Sequence, residues 1–129
     1  MDENSLVSAA AEARERAYTP YSKFQVGAAL LLKGGEIVSG CNIENASFGA
    51  TVCAERVAIL KAKSEDPQSQ IEAIAVVTDG ERPAPPCALC LQVIAEFCGP
   101  ETPVLLANTA GKRESYRFKE LLPHPFTDF

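Results

Sequence analysis

The sequence has no cluster of basic residues along which a polyanion could lie. It carries 12 Lys and Arg residues against 17 Asp and Glu residues, a net charge of −5, and a single histidine. A protein that binds a polynucleotide needs a positive track for the phosphates. The composition therefore argues against a nucleic acid polymer as partner and favours a small-molecule ligand.

Long apolar runs are also missing. The first residues, 1–4, include two acids and no apolar run follows them, so no secretory signal is expected. No stretch approaches the roughly 18 apolar residues of a membrane span. The cysteine count of five is odd, and a reducing compartment suits metal-bound thiolates better than disulfides. We therefore expect a cytoplasmic protein that has no membrane partner.

What is present is the composition of one globular domain. With 129 residues, 47% hydrophobic and 22% charged, residues 1–129 can build one core but not two, so a single catalytic domain is expected. Apolar runs with helical and β-strand spacing alternate, separated by turns that contain Gly or Pro. The predicted helices are 5–17, 51–63 and 87–97, and the predicted strands are 24–32, 36–42, 71–78, 103–107 and 115–118. This alternation indicates an α/β sheet with helices on its faces.

Three thiols and a carboxylate lie where two of the predicted helices begin. Cys87 and Cys90 are three residues apart, so on a helix they share a face and can bind one metal ion. Cys53 can supply a third ligand, which leaves a fourth tetrahedral position open, as a catalytic zinc requires. Glu55 follows Cys53 by two residues and can take a proton from a water at that open position. The pattern predicts a catalytic Zn²⁺ with three cysteine ligands and Glu55 as the proton carrier.

Two other interpretations of the thiols stay open at this point. A Cys-x-x-Cys pair that opens a helix after a strand also fits a thioredoxin-type redox domain, which would leave Cys53 and Glu55 without a role. The second is a structural zinc module closed by a fourth ligand, for which the candidates are Cys41, Cys98 and His124. That arrangement would also leave Glu55 unused.

Further short motifs follow one another along nearly the whole chain. In order they are Tyr18-Thr19-Pro20-Tyr21-Ser22-Lys23-Phe24, Val26-Gly27-Ala28-Ala29, Cys41-Asn42-Ile43-Glu44-Asn45-Ala46, Cys53-Ala54-Glu55-Arg56, Pro86-Cys87-Ala88-Leu89-Cys90, and Leu121-Leu122-Pro123 with Phe126. Together they resemble the small cytidine deaminases. The resemblance implies a three-layer α/β/α sandwich around a mixed five-stranded sheet, one Zn²⁺ per subunit, and a homotetramer.

The reaction that this resemblance implies is the zinc-dependent hydrolysis of cytidine and deoxycytidine to uridine and deoxyuridine with release of ammonia, a step of pyrimidine salvage. A deaminase of another aminopyrimidine compound is the alternative within the same class. In the implied reaction Glu55 acts first as base and then as acid.

The resemblance also implies which residues hold the substrate. Phe24 would stack on the pyrimidine ring, and Asn42 and Glu44 would hold the ribose hydroxyls. The backbone N–H of Ala54 would bind the carbonyl O2 of the base. The backbone carbonyl of Pro85 would accept the amino group, a contact that proline retains although the family usually has Ser or Thr there.

The chain departs from the family pattern at a few positions. The family places two arginines near the thiolates; Arg56 matches the first, for charge balance, and Leu91 stands in place of the second. Ala88 replaces a common glycine, and Phe48, expected beside the sugar, replaces a common tyrosine. Phe126 matches the C-terminal aromatic that closes over the nucleoside of a neighbouring subunit. None of these departures removes a zinc ligand or the proton carrier.

Overall fold

A mixed five-stranded sheet is the centre of the fold. The computed structural model describes residues 2–128. Its strands are β1 (Val26–Leu32), β2 (Ile37–Cys41), β3 (Ile71–Thr78), β4 (Pro103–Asn108) and β5 (Arg113–Arg117). The order across the sheet is β2-β1-β3-β4-β5, in which β3 and β4 are parallel and all other neighbours are antiparallel. The predicted mixed five-stranded sheet is confirmed.

Helices cover both faces of this sheet. They are α1 (Glu3–Arg14), α2 (Ala54–Glu65), α3 (Ala88–Phe97) and the short α4 (Phe118–Leu121), with one 3-10 turn at Phe48–Ala50. Successive side chains of a strand point to opposite faces. Ala29 and Val77 accordingly pack with α1 on one face, whereas Leu30 and Val76 pack with α2 and α3 on the other. The chain therefore forms the expected α/β/α sandwich, and no helix within residues 2–128 is long and apolar enough to span a membrane.

The predicted element types are correct, but several ends lie elsewhere. α1 begins earlier than predicted because the Asp2 carboxylate accepts hydrogen bonds from two first-turn amides, at 3.1 and 3.3 Å, and so caps the helix. α2 begins at Ala54 rather than at residue 51, because Val52 is extended and pairs with Ile43. β5 begins at Arg113, two residues before the predicted strand, and α4 is not among the predicted helices.

Two glycines allow the helices to lie directly against the sheet. A Cβ atom on Gly40 would lie 2.6 Å from the backbone nitrogen of Ala58 and 2.9 Å from the carbonyl oxygen of Ala54, both in α2. A Cβ atom on Gly27 would lie 1.9 Å from the carbonyl oxygen of Ala10 in α1. The depth of α2 matters for the site, because α2 begins at Ala54, between the thiol of Cys53 and the carboxyl of Glu55.

Candidate active site

The two cysteine motifs meet at the N-terminal ends of α2 and α3. Cys53 and Cys87 are the N-cap residues, and neither side chain forms a capping hydrogen bond with its own helix. Cys90 lies in the first turn of α3 and is buried. The three Sγ atoms all lie within 4.8 Å of one another, and those of Cys53 and Cys87 are 3.8 Å apart. The fold therefore joins the three thiols in one cluster.

This thiol cluster fits a zinc ion. Two sulfurs bonded to a tetrahedral zinc at about 2.3 Å are themselves about 3.8 Å apart, which matches the distance between the sulfurs of Cys53 and Cys87. In the part of the chain that the structure describes, the cluster contains no fourth ligand, since Cys41, Cys98 and His124 lie outside it. Three thiols suit one zinc per subunit and leave one coordination position for the reaction. The described residues therefore do not form the four-ligand structural zinc site. The redox interpretation leaves Cys53 without a role, whereas Cys53 belongs to the cluster.

The electrostatics of the cluster favour a thiolate at Cys53. A hydrogen bond from the Cys90 thiol lowers the pKa of Cys53 to about 5, and Arg56 assists. The Nη2 atom of Arg56 lies 3.6 Å from Cys53 Sγ and 3.5 Å from the carbonyl oxygen of Thr51. The same Cys90–Cys53 hydrogen bond raises the pKa of Cys90, because its proton is shared with the thiolate. Arg56 thus lies where the sequence predicted a charge-balancing cation.

Glu55 stands beside the thiol cluster rather than inside it. Its side chain is 4% exposed, and burial, with a smaller contribution from the charge of Cys53, raises its pKa to about 7. A carboxyl with such a pKa can hold and release a proton near neutrality. Because Glu55 is the second residue of α2, its position follows from the same helix start that places Cys53.

A cavity of about 260 Å³ opens in front of Glu55 and the thiols. It brings together residues from four separate parts of the chain that the sequence predicted to act on one substrate. The predicted residues that line it are Phe24, Asn42, Glu44, Cys53, Glu55, Pro85 and Cys87. Phe24 is 41% exposed. The amide of Ala54 lies in the first turn of α2, where helix N–H groups have no intrahelical acceptor.

Asn42 and Glu44 have contacts that the sequence did not reveal. The side-chain amide of Asn42 accepts from the N–H of Val26 at 2.9 Å and donates to the carbonyl of Phe24 at 2.8 Å. The Glu44 carboxylate accepts hydrogen bonds from the backbone N–H groups of Tyr21 and Ser22 and from the Ser22 hydroxyl. Both side chains therefore fix the chain that leads into β1, and only their remaining hydrogen-bonding capacity is left for a ligand.

Two aromatic residues predicted to contact the substrate, Phe48 and Phe126, do not line this cavity. Phe48 lines an adjoining cavity of about 360 Å³ and makes an edge contact with the ring of Tyr21, at 5.9 Å between centroids. Phe126 is 66% exposed, and its backbone is held by the side chain of Gln92, whose amide donates to the Phe126 carbonyl at 2.6 Å. The cross-subunit role of Phe126 stays a prediction.

Three polar residues that the sequence did not single out, Ser22, Thr51 and Thr78, line the cavity of about 260 Å³ in front of Glu55, called the catalytic cavity below. The hydroxyl of Thr78 is buried and has no hydrogen-bond partner within residues 2–128. Single hydroxyls in a turn or at a strand end carry no spacing signal that could have singled them out. Leu91, which stands in place of a family arginine, packs against the main core.

The loop of residues 79–86, which leads to Cys87, is anchored from outside the site. Asp79 accepts from Arg14 at 2.5 Å and from the Thr109 hydroxyl at 3.2 Å. The buried side chain of Asn108 donates to the carbonyls of Gly80 and Glu81 at 3.0 and 3.2 Å. These contacts fix the start of the loop that carries Pro85.

Three thiols with a separate buried carboxyl, gathered at two helix starts, define the class of zinc-dependent nucleobase deaminases. Residues 1–106 match the family described as the cytidine and deoxycytidylate deaminase zinc-binding region. The chain belongs to this family, as its motifs predicted.

Known proteins resemble the chain over nearly its whole length. It is 54% identical to a cytidine deaminase of Halalkalibacterium halodurans, covering 98% of this chain and 96% of the relative. It is 50% identical to a cytidine deaminase of Sporosarcina psychrophila, covering 98% and 93%. The solved structure of a cytidine deaminase from Burkholderia pseudomallei superposes with a TM-score of 0.93 at 42% identity, covering 98% of this chain and 100% of the other.

Proposed function

We propose that this chain catalyses the hydrolytic deamination of cytidine and deoxycytidine to uridine and deoxyuridine, with release of ammonia. The observation that carries the proposal is the buried carboxyl of Glu55, which opens onto one cavity together with Cys53, Cys87 and the aromatic ring of Phe24. Relatives that match over the whole chain are named cytidine deaminases, which supports the same substrate.

The catalytic work of the protein rests on Glu55. Zinc held by Cys53, Cys87 and Cys90 would supply a Lewis acid that polarises a water molecule. Glu55 takes a proton from the attacking water and delivers it to N3 of the base, while the water oxygen bonds to C4. Glu55 then takes the second proton of the former water from the hydroxyl on C4 and passes it to the amino group. The C4–N bond breaks, the C4 oxygen becomes the carbonyl of uridine, and ammonia leaves. One carboxyl thus serves as both base and acid.

The remaining site residues orient the nucleoside. Phe24 stacks on the pyrimidine ring, and the N–H of Ala54 binds the carbonyl oxygen O2. The carbonyl of Pro85 accepts the amino group that will leave. Asn42 and Glu44 hold the sugar hydroxyls, with Phe48 beside the sugar in the adjoining cavity.

The charges around the cavity favour a nucleoside over a nucleotide. Among the described residues that line this cavity and the adjoining one, none is Lys, Arg or His, whereas Glu44 lines both. A phosphate is normally held by cationic donors, and facing it with a carboxylate costs several kcal/mol. Deoxycytidylate should therefore be a poor substrate of this chain.

Metal analysis combined with an ammonia-release assay tests the proposal. We expect about one zinc per chain, turnover of cytidine and deoxycytidine, and a kcat/KM for deoxycytidylate lower by at least roughly a hundredfold, as like-charge repulsion of several kcal/mol predicts. Equal turnover of the nucleotide would contradict the nucleoside assignment. Absence of ammonia release from all three compounds by the zinc-loaded protein would contradict the function.

We further propose that the protein is a cytoplasmic homotetramer of single catalytic domains that works in pyrimidine salvage. All five cysteines are free, as expected in a reducing compartment. Large apolar side chains stand exposed, among them Phe48 at 75%, Leu89 at 64% and Phe126 at 66%. Burial of these side chains against other subunits would remove their apolar surface from water.

A further inference from the structure

Ser22 links two residues of the proposed nucleoside site. Its N–H donates to Oε1 of Glu44 at 3.1 Å, and the N–H of Tyr21 donates to the same oxygen at 3.0 Å. The Ser22 hydroxyl donates to the other carboxylate oxygen, Oε2. The N–H of Phe24 in turn donates to the Ser22 Oγ atom at 3.0 Å. Because Phe24 occupies a lone pair of the hydroxyl, the hydroxyl hydrogen is directed towards Glu44.

The backbone turn around Ser22 is shaped for this contact. Lys23 adopts a φ of 62°, a left-handed conformation that non-glycine residues rarely adopt. The N–H of Lys23 donates to the carbonyl of Thr19 at 3.1 Å and closes the turn. This reversal brings two consecutive N–H groups and one hydroxyl onto a single carboxylate. The turn and Glu44 therefore hold each other in place.

The three contacts limit what Glu44 can offer a ligand. An ionised carboxylate has about four lone-pair sites, and three donors from residues 21–22 occupy most of them. The hydrogen bond from the Ser22 hydroxyl is the main cause of the lowered pKa of Glu44, so the group stays an acceptor. Ser22 and Glu44 both line the catalytic cavity and the adjoining one.

We propose that Ser22 is a positioning residue for sugar recognition: it orients the Glu44 carboxylate so that its one remaining acceptor site meets a sugar hydroxyl. The proposal rests on the proposed nucleoside function. Ser22 acts on the sugar through Glu44, so its hydroxyl matters for ligands that carry sugar hydroxyls at the 2′ or 3′ position and not for ligands that lack them.

The test compares cytidine with 2′,3′-dideoxycytidine, which lacks both hydroxyls. For Ser22→Ala we expect kcat/KM for cytidine to fall roughly tenfold, as for loss of a charge-assisted hydrogen bond. The inhibition constant of 2′,3′-dideoxycytidine, measured in competition with cytidine, should not change. Ser22→Thr, which keeps the hydroxyl, should restore cytidine turnover. In a Glu44→Gln background, Ser22→Ala should add little, because its partner has been altered.

A second serine provides a matched control. The Ser5 hydroxyl donates to the Asp2 carboxylate at 2.6 Å at the start of α1, away from both cavities. Ser5→Ala should change neither kinetic constant. If Ser22→Ala does not fold, Ser22→Cys takes its place, since a thiol is a weak hydrogen-bonding group of similar shape and should show the same selective loss.

Equal weakening of cytidine and 2′,3′-dideoxycytidine by the Ser22 variant would overturn the proposal, because it would show general support of the turn or of Phe24. Unchanged cytidine turnover would overturn it as well. Failure of the wild-type protein to deaminate cytidine is a different result and would contradict the proposed function itself.

Discussion

Two glutamates of the catalytic cavity have opposite surroundings. Glu55 is buried, and the nearby charge of Arg56 does not offset the cost of burying a carboxylate. Its pKa is therefore raised to about 7. Glu44 accepts hydrogen bonds from Ser22 and Tyr21, so its pKa is lowered. Groups whose environments push their pKa values apart can take separate roles. Glu55 is suited to carry protons, and Glu44 is suited to remain an ionised acceptor.

Glu55→Gln should therefore abolish proton transfer while keeping the shape of the site. Since Glu55 stands beside the thiol cluster, the variant should retain zinc and lose roughly a hundredfold to ten-thousandfold in kcat, the range for a removed general acid–base. Zinc per chain and cytidine turnover are measured on the same preparation. Glu65→Gln, an exposed substitution at the other end of α2, serves as the control and should be inert. Loss of zinc from Glu55→Gln would instead place Glu55 among the ligands.

At the scale of the elements, the site depends on where two helices begin. The first cysteine motif straddles the start of α2 and the second that of α3. The sheet determines how deep these helices lie, and Gly40 in β2 is a point of close approach to α2. A substitution that displaces α2 from the sheet should therefore also displace Cys53 at the start of α2, although the substituted residue is not a metal ligand.

Gly40→Ala should displace α2, whereas Gly27→Ala should displace α1 on the opposite face. Both variants should lose about 1–3 kcal/mol of stability through overpacking. Only Gly40→Ala should also lower the zinc content per folded chain. Thermal unfolding and metal analysis measure the two effects, with Gly99→Ala as the control, because a Cβ there meets nothing within 4 Å. Equal zinc content in the two core variants would show that the depth of α2 does not govern the ligand cluster.

At the scale of the whole molecule, the C-terminal segment is attached to the helix that carries Cys90. The Gln92 side chain of α3 holds both backbone polar groups of Phe126, donating to its carbonyl at 2.6 Å and accepting from its N–H at 3.3 Å. The residue is nevertheless 66% exposed. The backbone is thus held while the residue stays largely exposed, which is compatible with a contact to a neighbouring subunit.

Phe126→Ala tests this assembly role and keeps the backbone groups that Gln92 binds. We expect KM for cytidine to rise about tenfold or more, from lost aromatic contact, with zinc content unchanged. Light scattering should give a tetramer for the wild-type protein. A fully active wild-type monomer would contradict the cross-subunit role, and so would a variant with unaltered KM.

Local sequence patterns predicted much of the architecture. β3 runs from Ile71 to Thr78, as its apolar run predicted, because the structure of a segment rich in β-branched residues and bounded by turns is decided by nearby residues. The spacing of Cys87 and Cys90 likewise determined a shared face at a helix start. Ends were less predictable: α2 starts three residues late because Val52 pairs with Ile43, a contact that local propensity does not contain.

The sequence by itself determined the class of chemistry, because the residue types that can bind zinc and move a proton stand in short motifs with helical spacing. Only the tertiary structure decided that Cys53 meets Cys87 at 3.8 Å, although the two are 34 residues apart. It also decided that Ser22 engages Glu44, 22 residues further on. Such contacts depend on strand register and helix depth, which follow from packing of the entire chain and not from any single stretch.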